Sequence, residues 1–145
     1  MVDGSVQLKN LSRRLIEARS AKAVWEAVLE ASIQRMEATA GVWIWKSPAA
    51  GITQLRHRDS RFGPSFWTRT LETADRPTQP SSLELPYQGT DRVGVLLVPV
   101  QVAEWQGWLA LTRISSPFTE QDVEAVEVFC EMARLAVFGF SHQGR

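Results

Sequence analysis

An α+β domain built on an antiparallel sheet is the fold this sequence predicts, and three observations lead there. Apolar residues recur at helical spacing near both ends of the chain, while the middle holds apolar and β-branched runs that group as two hairpins. The 145 residues carry 44% hydrophobic and 22% charged side chains, enough for one folded domain with a core of its own. One cysteine in the whole chain excludes an internal disulfide, so packing alone must hold the fold.

Residues 5–38 form the opening helical segment. Leu8, Leu11, Leu15 and Ala18 share one helical face, and Ser20 offers an N-cap for a second run with Val24, Trp25, Val28, Leu29, Ile33 and Met36. This pattern reads either as two helices or as one long helix bent near Arg19 and Ser20. The sheet and a variable segment occupy 41–113. "AGVWIW" has no polar face, which predicts a strand covered on both sides, and "SPAAG" turns it into the more polar "ITQLRHR" to close a hairpin. From Asp59 to Asp91 the chain is rich in proline, serine and threonine; it allows a short helix at about 65–72, where Phe66, Trp67 and Leu71 share a face, and a brief edge strand at "SSLEL". "RVGVLLVPV" and "QGWLALTR" make the second hairpin.

The closing helix, 119–140, has the firmest start. Thr119 and Asp122 stand in the capping-box relation, Phe118 and Val123 can staple across it, and Pro117 disfavours helix before it. Val123, Val126, Cys130, Ala133, Val137 and Phe140 then alternate in steps of three and four, the spacing of a helix-packing seam, with Phe129, Met132 and Ala136 as a second apolar stripe.

Sixteen basic and sixteen acidic residues cancel, which argues against nucleic acid as a partner. Their distribution is uneven: residues 1–72 hold eleven basic and seven acidic groups, residues 73–145 five and nine. Lys9, Arg13, Arg14 and Arg19 near one end face Glu120, Asp122, Glu124, Glu127 and Glu131 near the other, so the terminal helices are expected side by side, within a subunit or between two. No signal-peptide core and no apolar run of membrane-spanning length is visible, which predicts a cytoplasmic chain without membrane insertion, or one piece of a larger tethered receptor.

Catalytic patterns are weak. "HRD" at His57–Asp59 lacks the glycine-rich loop of a kinase, and no nucleophile elbow is present. Two histidines and one cysteine, far apart, make a metal site improbable, and Cys130 within an apolar seam reads as a packing residue. Arg56, His57, Arg58 and Arg61 offer an anion site where a strand opens into the variable segment, although a solvated loop explains them as well. Of the six tryptophans, Trp67, with Phe66, is best placed to line a cavity.

The C-terminal block "WQGWLALTRISSPFTEQDVEAVEVFCEMARLAV" resembles the end of a GAF domain, with Gly107, Leu109, Leu111, Pro117, Phe118, Thr119, Asp122 and Ala136 at the positions that carry the pattern. "VLLVPV" and "LEASIQRMEATAGVWIW" resemble earlier parts of the same family, so the resemblance spans roughly Leu8 to Phe140. It implies a PAS-related central antiparallel sheet of five or six strands, terminal helices on one face, and a small-molecule pocket on the other beneath a variable loop or short helix. It also implies a non-catalytic sensory module, a homodimer through the terminal helices, and a signalling output domain or partner protein. Three family functions find no support: residues 57–92 lack the cysteine of bilin-binding members, the several cysteines of free methionine sulfoxide reductases are missing, and so is the N-K-x-F-x-D-E pattern. No covalent bilin and no metal are therefore expected, and the ligand is unknown. Position and chemistry nominate His57, Phe66, Trp67 and Arg92 for the pocket, and Leu8, Leu11, Leu15, Val126, Cys130, Ala133 and Val137 for the dimer interface. The rival is a degenerate module, its pocket filled by its own tryptophans, that serves only as a dimerisation or protein-interaction domain.

Overall fold

The computed structural model describes residues 4–47, 51–56, 64–74, 77–86, 89, 91–102, 105–114 and 116–143, with side chains described over a smaller set. Two separate helices open the chain, α1 (Gly4–Glu17) and α2 (Ala21–Met36). They part at Ser20 because its backbone is extended and its hydroxyl accepts the Ala23 amide at 3.1 Å, which caps α2. At the other end Glu37 adopts the left-handed conformation (φ 53°), and the amides of Glu37 and Ala38 donate to the carbonyls of Gln34 and Ile33. That closure turns the chain directly into the sheet.

Strands β1 (Ala40–Ser47), β2 (Gly51–Arg56), β3 (Ser81–Pro86), β4 (Arg92–Val102) and β5 (Trp105–Ile114) form one antiparallel sheet in the order β2-β1-β5-β4-β3. The first hairpin closes at Ser47 opposite Gly51 and the second at Val102 opposite Trp105. A short helix, α3 (Pro64–Thr73), connects β2 towards β3, and α4 (Glu120–Gln143) ends the fold. β3 pairs with β4 only as far as Leu97, so Pro99 lies where β4 has no outer strand and its missing amide costs the β3 ladder nothing.

Both faces of the sheet are covered, which is why "VGVLLVPV" shows no polar alternation. Leu96, Val98 and Val100 of β4, with Leu109, Leu111 and Trp43, pack under α1, α2 and α4. Val93, Val95 and Leu97, with Trp108, Ala110, Val42 and Ile44, pack with Trp67 and Leu71 of α3. Gly107 is required by its neighbour across the strands: the Trp45 ring lies over it, and a Cβ there would stand 2.2 Å from that ring. Gly94 similarly lets the segment before α4 pass close, since a Cβ would meet the Ser116 carbonyl at 3.0 Å.

The α4 seam corrects the sequence reading. Val126, Cys130, Ala133 and Val137 are all buried inside the chain, as is Leu11 of α1, while Leu15 packs against the same core. A partner could reach the five buried residues only by opening that core, so those five are not free to form a dimer interface. Among these nominees only Leu8 is exposed. Within one chain the expected charge attraction between terminal helices takes another form: Arg14 pairs with Glu30 of α2 at 2.9 Å, and among the described residues no ion pair joins α1 to α4.

Candidate functional site

Where the resemblance implies a ligand, α3 lays its own side chains on the sheet. Trp67 is 1% exposed, and Leu71 and Trp108 are equally enclosed; Phe66, half-buried, meets the Trp67 ring edge-on at 5.1 Å. The Trp108 indole donates to the Pro77 carbonyl at 2.9 Å, which fastens the segment after α3 to this face. Phe66 and Trp67 are thus brought together as packing residues. Arg92 is not part of that group. It is exposed at the start of β4 and engages Glu84 of β3, both through the Glu84 carbonyl at 3.3 Å and its carboxylate at 3.9 Å. A guanidinium spent on an edge-strand pair does not serve as a buried anion ligand. His57 lies outside the described residues, as do Arg58 and Arg61.

Among the described residues two openings lie on the opposite face. One, about 320 Å³, is walled by Trp25, Trp45, Trp105, Ala21, Val102 and Val137, at the end of the β4–β5 hairpin beside α2 and α4. Its tryptophans are pre-arranged: Trp45 stacks on Trp43 at 5.3 Å, and Trp25 meets both rings within 4.9 Å. The Trp43 indole donates to the Trp25 carbonyl at 2.8 Å, which sets the angle between strand and helix. The second opening, about 420 Å³, lies between α4 and the uncovered end of β4, with Gln79, Gln101, Glu127, Glu131 and Arg134 on its rim and Cys130 in its floor. Burial first, then the nearby Glu127 and Glu131 charges, push the Cys130 thiol well above the ordinary range. It stays protonated and unreactive at neutral pH, which suits packing and not nucleophilic chemistry. No group of three metal-ligating side chains occurs among the described residues.

Sheet and closing helix are joined through one arginine. Arg113 of β5 donates to the carbonyls of Met36 (3.0 Å), Ser116 (3.1 Å) and Pro117 (2.7 Å) and to the Asp122 carboxylate (2.9 Å), and its guanidinium covers the Phe118 ring at 4.4 Å. Asp122 also accepts the Thr119 amide while Thr119 accepts the Asp122 amide, so the capping box is closed in both directions. Burial raises the Asp122 pKa, but the Thr119 amide, the Arg113 hydrogen bond and charge, and the Thr119 hydroxyl outweigh it, and the net shift is downward. A carboxylate with a depressed folded pKa stabilises the fold above its unfolded pKa and loses that contribution as pH falls through the folded value. Asp122→Asn is therefore expected to be less stable than the parent at pH 7 by about 1–2 kcal/mol, with the gap closing below about pH 4. Thermal melts of both proteins across that window check it; a gap that persists at low pH contradicts the charge-based account.

The helical layer also presents an outward apolar pattern that the inner seam obscured in the sequence. Among the described residues the exposed large apolar side chains lie on α1 and α4: Leu8 and Ile16 on the first, Val128, Leu135 and Phe138 on the last. Their signal was present in the spacing of Val128, Leu135 and Phe138, but glutamates interrupt it.

No protein-family model matches the chain, and no curated protein does. Solved structures do. The GAF domain of an Acinetobacter phosphoenolpyruvate-protein phosphotransferase superimposes with a TM-score of 0.63 at 11% identity, over 100% of this chain and 99% of that one. A GAF domain/HD domain protein from Geobacter sulfurreducens gives 0.61 at 15% identity over 89% and 99%. CepR2 of Burkholderia cenocepacia, an N-acylhomoserine lactone dependent LuxR family transcription factor, gives 0.64 at 11% identity over 97% and 96%. These superpositions over most of the chain give it the GAF-like α+β fold.

Proposed function

We propose that this chain is a non-catalytic regulatory module of the GAF type that acts through its helical layer, pairing with a second copy and passing a change in that pairing to an output domain or partner protein. One observation carries the reading: the exposed large apolar side chains gather on α1 and α4, while Trp67, Leu71 and Trp108 fill the face beneath α3. Arg113 supports it mechanically, because a shift in β5 pulls at once on the end of α2 and the start of α4. Native mass spectrometry at about 10 µM, a concentration suited to interfaces of modest size, tests the reading. A dimer is expected; a monomer throughout overturns it.

Small-molecule sensing is the second reading, and the groove walled by Trp25, Trp45 and Trp105 favours it. CepR2 depends on an N-acylhomoserine lactone, so N-octanoyl homoserine lactone is the first probe. Indole emission that shifts on titration, and no longer does so in Trp105→Ala, supports an apolar site there; unchanged emission up to about 100 µM removes the acyl-lactone form of it.

A further inference from the structure

We infer that the dimer is built by docking α1 of one copy against α4 of the other, basic flank to acidic face, and not by pairing the two α4 helices. This rests on the self-association reading above and specifies its geometry.

The outward face of α4 carries Gln121, Glu124, Val128, Glu131, Leu135 and Phe138 in steps of three and four, a continuous packing stripe on the side away from the core. Its glutamates, Glu124 and Glu131, alternate with apolar residues, and it ends on Leu135 and Phe138. Glu120 and Glu127 flank it, and Arg134 neutralises only Glu131. Two such helices side by side and parallel set Glu124 against Glu124, a like-charge contact in the seam. Antiparallel and centred between Val128 and Glu131, they bring Glu124 against Leu135 and Glu131 against Val128, which desolvates carboxylates without a cation. Neither arrangement satisfies the stripe.

α1 supplies what is missing. Lys9, Arg13 and Ile16 follow at i, i+4 and i+7 along one flank, all exposed, with Ile16 85% exposed. Arg14 sits on the other flank, held by Glu30 of α2, so the α2 contact leaves Lys9 and Arg13 uncommitted among the described residues. Lys9 and Arg13 followed by Ile16, each about one turn apart, match Glu120 and Glu124 followed by Val128 on α4. A two-fold axis makes the contact twice, α1 on α4 and α4 on α1. The chain's opposite charge excess in its two halves thereby acts between copies.

Sedimentation equilibrium on the intact chain tests this, with circular dichroism showing that each surface variant stays folded. Leu135→Glu is expected to weaken the dimer about a hundredfold, because the symmetric contact counts each change twice. Glu124→Lys with Glu127→Lys is expected to weaken it about tenfold at about 0.05 M salt, and less at about 0.5 M. Adding Lys9→Glu and Arg13→Glu to that double variant should restore the parent affinity. Three results overturn the inference: a dimer indifferent to Leu135→Glu, a charge-reversed dimer that the α1 changes do not rescue, or a Glu124→Lys/Glu127→Lys dimer tighter than the parent, as relief of α4–α4 repulsion requires. Each of these leaves self-association itself standing, whereas a monomeric parent removes both readings.

Discussion

Trp43→Ala is expected to remove about 4–5 kcal/mol of unfolding free energy, the largest single loss in the molecule. The side chain is wholly buried at the junction of β1 and α2, stacked on Trp45 at 5.3 Å and edge-on to Trp25 at 4.9 Å. Its indole N–H donates to the Trp25 carbonyl at 2.8 Å, but that carbonyl is helical and keeps its own intrahelical donor when the indole is gone. The cost is therefore mostly the cavity and the lost ring contacts, with the hydrogen bond a smaller part. Trp43→Phe keeps most of the volume and should cost about half as much. Urea unfolding followed by far-ultraviolet circular dichroism measures both. Equal losses for alanine and phenylalanine mean that the hydrogen bond dominates, contrary to this account.

Trp67→Ala is expected to cost about 3–4 kcal/mol, and its value decides what the face beneath α3 is for. The ring is 1% exposed and packs with Leu71, Trp108 and the second-face residues of β4, with Phe66 against its edge. A side chain that fills a core is lost in stability; one that only lines a ligand cavity is lost in affinity and costs little when no ligand is bound. A loss above about 3 kcal/mol by the same urea titration supports the filled face. A loss below about 1 kcal/mol shows that the ring covers space the protein can leave empty, and the pocket expected from the resemblance then returns to α3.

Phe66 and Trp67 illustrate how far a sequence reaches. Their placement on one short helix follows from spacing, yet whether the helix roofs a cavity or fills it depends on how close α3 approaches the sheet, which no local pattern encodes. Position and chemistry point Arg92 towards a pocket, but its exposed place at the head of β4 and its pairing with the cross-strand Glu84 are set by strand register, which the local pattern does not encode. No local pattern marks Arg113, because its acceptors come from Met36, Ser116, Pro117 and Asp122, and the Met36 carbonyl is 77 residues away.

Local chemistry alone determined the ends of the helices and the closure of the hairpins. Ser20 and the Thr119–Asp122 box satisfy backbone amides within four residues, and the two apolar strand pairs lie close to each other along the chain. Tertiary structure decided which stripe of α4 faces inward. Both stripes alternate by three and four, and only the sheet, needing an uncharged surface with a small residue at Ala133 to approach it, selects Val126, Cys130 and Val137. The glutamate-bearing stripe turns outward because burying carboxylates without partners costs more than leaving Val128, Leu135 and Phe138 in water.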